Sequence, residues 1–201
     1  MTTPHTPSLH PSEPTQRITS KPMTDMRPEW LATLARIPGK GLHGDGFPKH
    51  VLGVIMHNPD TFGPFLDYWV TCKLAMGLSV REQELVILRM AVLYSSDYVW
   101  KHHVPLGIEF GMTDSEFNAV RTGSFQNAFN TRELALLTLT DELVQQRTIR
   151  PEVWHTHHAE LQDRDRVDLV HLVAQYVLFA LMNNAMQVQI EPALDTIPSL
   201  Q

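Results

Sequence analysis

REQELVILRMAVLYSSDYVWKHHVPLGIEFG, from Arg81 to Gly111, reads as two successive helices and sets Glu84 and His103 within a largely apolar pattern. Ser96, Val99 and His103 fall at i, i+3 and i+7, so a helix puts them on one face, flanked by Tyr98 and Trp100. In the preceding segment Glu84 is followed by Leu85, Val86, Ile87 and Leu88, and its own face continues through Leu88 and Ala91. A carboxylate so surrounded needs a partner. An imidazole opposite it in a dry site makes a candidate proton-transfer pair, with a pH limb near neutrality if His103 is catalytic. A structural reading is also open: Glu84 pairs with Arg81 at i−3, and His103 is a hydrogen-bonded core histidine.

Outward from this stretch the periods remain helical. Asp25 is a candidate N-cap and Pro28 falls in the first turn, which predicts a helix over about Met26 to Ile37, stopped by Pro38-Gly39. The glycines and proline between Lys40 and Lys49 read as an irregular connection. A helix follows from about Pro59 to Met76, ended by Gly77. Ser79 with Glu82, and Thr113 with Glu116, have capping-box spacing. Asn130 can cap a helix to about Gln146, and Pro151 begins a short one carrying Trp154. The last helix, about Asp163 to Val188, is apolar almost all round, as for a helix at a domain centre or in a subunit interface. Pro105 is expected to end or kink the helix beside the site. No alternating strand pattern appears, so the fold class is all-α.

At 201 residues and 43% hydrophobic composition, the chain can bury one ordinary core. The expected division is a flexible arm over residues 1–25, rich in Thr, Pro, Ser and His, a single helical domain over 26–190, and a tail over 191–201. A net charge of −6 without a Lys/Arg cluster gives no footprint for nucleic acid or an anionic membrane. Neither a signal-peptide pattern nor an uninterrupted apolar span is read, so a cytoplasmic protein is expected. The single cysteine, Cys72, reads as a small buried hydrophobe and argues against a disulfide-stapled domain.

The chain resembles the carboxymuconolactone decarboxylase and AhpD-like superfamily from about Asn58 to Gly123. In its redox branch a glutamate is followed twelve residues later by Cys-x-x-Cys-x-x-x-His. Here Ser96, Val99 and His103 stand at those places after Glu84, without the thiols. The run Tyr98-Val99-Trp100-x-x-His103 looks like the non-redox branch. The resemblance implies an AhpD-like helical bundle assembled as trimers or hexamers, with His103 and Glu84 as the catalytic pair. Peroxide reduction is not expected, because it needs a reactive and a resolving thiol. The expected activity is a cofactor-independent decarboxylation of a small carbonyl or lactone acid, or a related isomerisation or elimination. The alternative is a non-catalytic oligomeric ligand-binding or scaffold protein.

Ser96, Tyr98, Trp100 and Arg81 are the candidate substrate contacts. Tyr98 and Trp100 also fit as core aromatics, and Arg81 and Arg89 as structural ion pairs. His155 and His158 share a helical face, but two ligands without a third or a supporting shell do not make a metal site, and no metal is expected. His171 reads as a satisfied core or interface histidine.

Overall fold

Capping boxes start several of the helices. The Ser79, Thr113 and Asn130 side chains accept from the backbone N–H of Glu82, Glu116 and Glu133, whose carboxylates reach back to the cap backbone. The computed structural model describes residues 16–37, 44 and 46–200. Among them the α-helices are α1 Pro28–Leu34, α2 Lys49–Ile55, α3 Pro59–Ala75, α4 Val80–Leu93, α5 Asp97–Glu109, α6 Asp114–Thr122, α7 Thr131–Gln146, α8 Pro151–His157 and α9 Asp163–Met186. No strand occurs among the described residues.

Helix α4 is the axis of the bundle, with α5, α7 and α9 packed around it. Leu85, Val86, Ile87, Leu88, Met90 and Ala91 are all fully buried, which accounts for an apolar run too continuous for a one-sided helix. Only Tyr94, Ser95 and Ser96 separate α4 from α5. Ser95 turns the chain in the left-handed region, φ 50°, and so brings α5 back along α4. By length and composition α9 is apolar enough to cross a membrane. It is nevertheless packed by α4, α7, α3 and α5, the setting of a core helix.

Several expected boundaries shift. Asp25 ends a single 3-10 turn, Met23–Asp25, and Arg27 holds the cap position of α1 without a side-chain cap bond. The sequence reading placed no helix over α2, whose Val51–Val54 run is too short and too uniformly apolar to show a period. Pro105 does not end α5, which continues to Glu109. The lost backbone bond is offset by the buried face of Tyr98, Val99, Trp100 and Val104.

Both presumed appendages contribute to the body. Residues 1–15 lie outside the described residues, but from Gln16 onward the segment is docked. Arg17 N–H donates to the Met186 carbonyl at 2.9 Å and Lys21 N–H to the Gly53 carbonyl at 3.1 Å. At the other end Glu191 is completely buried, and the Trp100 indole N–H donates to the Pro198 carbonyl at 3.1 Å.

The docking of residues 20 and 21 requires a glycine on α2. A Cβ at Gly53 would stand 2.4 Å from the Lys21 carbonyl oxygen and 2.9 Å from its nitrogen, both backbone atoms that cannot swing aside. Gly53→Ala is therefore expected to destabilise the fold by about 1–3 kcal/mol, as overpacking does, despite alanine's better helix propensity. An unchanged or raised thermal midpoint would contradict this packing.

Candidate active site

The buried carboxylate meets its partner between the two central helices. Glu84 on α4 is wholly inaccessible to solvent, and its Oε2 lies 2.5 Å from Nδ1 of His103 on α5. Its Oε1 is 3.6 Å from the Nζ of Lys73, near the end of α3. Burial pushes the Glu84 carboxyl up, but the adjoining His103 and then Lys73 outweigh that and hold it below its ordinary value. An ionised Glu84 only accepts hydrogen bonds, so Nδ1 carries the proton toward it and Nε2 is the basic nitrogen. The Tyr176 hydroxyl from α9 stands 3.2 Å from that Nε2. Burial, reinforced by the Glu84 charge, drives the Tyr176 phenol well above its usual value, so it is a neutral donor at neutral pH.

Lys73, Glu84, His103 and Tyr176 all line a cavity of about 620 Å³. Its walls are mainly apolar, with Leu52, Trp69, Val99, Leu106, Phe110 and Phe179 prominent. Little water competes in such a space, which strengthens a charge-assisted pair. An imidazole with one nitrogen fixed by a carboxylate and the other turned to a hydroxyl can accept or deliver a proton.

A second carboxylate–imidazole contact braces the neighbouring wall. Glu191 Oε1 accepts from the Tyr98 hydroxyl at 3.0 Å and from the His50 backbone N–H at 2.9 Å. Its Oε2 lies 2.8 Å from His102 Nε2. The other nitrogen of His102 is 2.7 Å from the Tyr98 carbonyl. Burial raises the Glu191 carboxyl, and His102 lowers it by more, leaving it below the ordinary value. The His102 ring lines the cavity and stacks on Tyr98 at 4.2 Å, with Nε2 close to Glu191 Oε2 but without hydrogen-bond geometry to it.

The expected substrate contacts separate. Tyr98 lines the cavity, although its hydroxyl is committed to Glu191. Trp100, two residues on, points to another side of α5. It packs edge-on against Phe117 and holds the C-terminal segment, away from the cavity. Ser96 occupies the N-cap position of α5, buried and outside the cavity lining. Arg81 also lies outside it, paired with Glu133 at 2.7 Å and with Glu116. Those carboxylates belong to the capping boxes of α7 and α6, so the arginine ties three helix starts together. Arg89 forks onto Asp141 at 2.6 and 2.8 Å.

Other marked residues lie elsewhere. His155 on α8 and His158 just after it are exposed, His158 Nδ1 being 3.0 Å from the His155 carbonyl. No group of three or more potential metal ligands occurs among the described residues. His171 is exposed and bonds the Tyr68 hydroxyl, and Cys72 is half-buried.

Residues 59–142 match the Carboxymuconolactone decarboxylase family. Over that stretch the chain is similar to that family, and its helical fold is AhpD-like. No curated protein matches it. Among solved structures, the apo debrominase Bmp8 is similar over 90% of this chain and 95% of its own, with TM-score 0.73 and 14% identity. The AhpD core of an uncharacterized peroxidase-related protein from Ralstonia eutropha is similar over 91% of this chain and 96% of its own, with TM-score 0.73 and 15% identity. At such identities the likeness concerns the fold. Ser96, which is buried, and Val99, in the apolar cavity wall, stand where the redox pattern of the sequence resemblance has its cysteines.

Lys73 and Tyr176 did not emerge from sequence reasoning. A phenol in an otherwise apolar helix needs a partner and so signals a site, but α9 drew notice through His171 instead. Lys73, beside Cys72 and Leu74, offered only a charge in an apolar neighbourhood.

Proposed function

We propose that this chain is a cofactor-independent enzyme that moves a proton to or from a carbon beside a carbonyl or lactone group of a small acid. Decarboxylation is the leading reaction, and isomerisation or elimination is related chemistry on the same pair. The observation that carries this reading is the 2.5 Å contact of a fully buried Glu84 with His103 at the wall of an apolar cavity. When the carboxylate leaves as carbon dioxide, the C–C bonding pair remains on the substrate as an enolate. Protonated Nε2 of His103 delivers its proton to that carbon and becomes neutral, and solvent resupplies the proton. Glu84 orients the ring and stabilises its charged form.

The partners in this reading are a small-molecule substrate and further copies of the chain, in a cytoplasmic setting without nucleic acid or membrane. The outer face of α9 supports assembly, because Val167, Val170, Leu178 and Leu181 are all exposed at helical spacing. The fold neighbour Bmp8 is a debrominase, solved also in complex with 2,3,4-tribromopyrrole. The apolar cavity also favours a second reading, ligand binding without catalysis.

The test is incubation of metal-stripped protein with carboxymuconolactone and a panel of β-keto acids and lactones, following carbon dioxide release and substrate loss. Turnover of one of them is expected, and binding without conversion of any would favour the second reading. Tyr176→Phe removes one neutral hydrogen bond to Nε2, so turnover should fall about tenfold with the fold unchanged. Turnover equal to that of the unaltered protein would remove Tyr176 from the mechanism.

A further inference from the structure

Lys73 is an ammonium group at the wall of a cavity that is otherwise mainly apolar. It is the only lysine or arginine among the described lining residues. Its side chain is 22% exposed, and Nζ approaches Glu84 Oε1 at 3.6 Å, an ion pair longer than a direct hydrogen bond. No acceptor among the described residues lies within hydrogen-bond distance of its three N–H donors. Glu84 in turn gives its other oxygen to His103. A cation held this close to the reacting pair, with its donors unused, is poised for an anionic oxygen brought by a ligand.

The remaining walls say what that ligand carries besides its charge. Trp69, Phe179, Leu52 and Leu106 accept hydrocarbon, and the four-carbon stem of Lys73 is itself apolar surface. The other acidic lining residue, Glu109, is exposed and so stands toward solvent, where it would repel a second carboxylate.

We propose that Lys73 is the anion anchor of this cavity and that its ligands are monocarboxylic acids with an apolar body, not dicarboxylates. The proposal rests on the proton-transfer reading for which cavity is the active site, and narrows the substrate class there. Substrate enters with its carboxylate on Nζ and its hydrocarbon along Trp69 and Phe179. The carbon to be protonated then lies toward His103.

Binding of octanoate, octanamide and octanedioate to the full chain tests this, by calorimetry and by quenching of tryptophan fluorescence. His103→Gln serves as host, so that no turnover intervenes. Octanoate should bind at least about tenfold more tightly than octanamide, the increment of a hydrogen bond to a charged group, and more tightly than octanedioate. Lys73→Met, checked for native helix content by circular dichroism, should erase the preference for octanoate over octanamide and keep the affinity for octanamide. Lys73→Arg should keep much of that preference, which separates loss of charge from loss of packing. Equal affinity for acid and amide with Lys73 intact would overturn the proposal, as would a preference that survives Lys73→Met, tighter binding of octanedioate, or no binding of any of the three. These are binding readouts, so they stand apart from whether any compound is turned over.

Discussion

Replacing His103 by Gln is expected to lower turnover by about 10²–10⁴-fold, the usual contribution of a positioned general acid or base. The substitution is informative because of what it preserves. A glutamine amide N–H can still donate toward Glu84, which already has Lys73 at 3.6 Å, so the buried carboxylate is not left alone. Helix content should therefore persist, and only the capacity to exchange a proton is lost. The pH profile supplies a second check. Glu84 is held below its ordinary value, so it stays ionised across neutral pH, and its own protonation affects activity only as pH drops through that depressed value. Undiminished turnover in a folded His103→Gln protein would end the proton-transfer account.

Glu191→Ala is expected to be the most destabilising of the substitutions considered, by about 2–6 kcal/mol, the cost of leaving two buried hydrogen-bond donors without their acceptor. Glu191 is fully buried and joins three parts of the chain: α2 through the His50 backbone, α5 through Tyr98 and His102, and the C-terminal segment that carries it. Its loss leaves the Tyr98 hydroxyl and the His50 N–H without their acceptor and His102 without its carboxylate. The pH dependence has a definite sign. A carboxyl whose folded value is depressed contributes stability above the ordinary carboxylate range, about pH 4, and that contribution disappears as pH falls through the folded value. The unaltered protein should thus lose stability in acid, and Glu191→Ala should lose less of its own. Denaturant unfolding at neutral and acid pH measures both, and equal acid sensitivity would contradict the role given to Glu191.

The parts of this architecture legible in sequence are those set by local chemistry. Ser79, Thr113 and Asn130 announce helix starts because a cap and its reciprocal acid lie three residues apart. The almost all-round apolar pattern of the last helix announces a helix packed on several sides, and α9 is packed by α3, α4, α5 and α7. What was not legible depends on long-range packing. Tyr176 reaches His103 across 73 residues of chain, and Glu191 reaches Tyr98 across 93. Neither separation leaves a local pattern. Arg81 illustrates the converse: its proximity in sequence to Glu84 suggested the site, while the carboxylates of Glu116 and Glu133 draw it to the helix starts. Trp100 was misplaced by the same shortcut, since two residues along α5 separate it from the face of Tyr98 and His102.

The most direct measurement is deuterium wash-in from D2O at the carbon beside the carbonyl, followed by NMR for the keto acids and lactones of the panel. It reports proton transfer whether the full reaction is decarboxylation, isomerisation or elimination. The account predicts protein-dependent incorporation for at least one substrate, greatly reduced in His103→Gln. Incorporation that is undiminished in His103→Gln, or absent for every compound the protein binds, would contradict it.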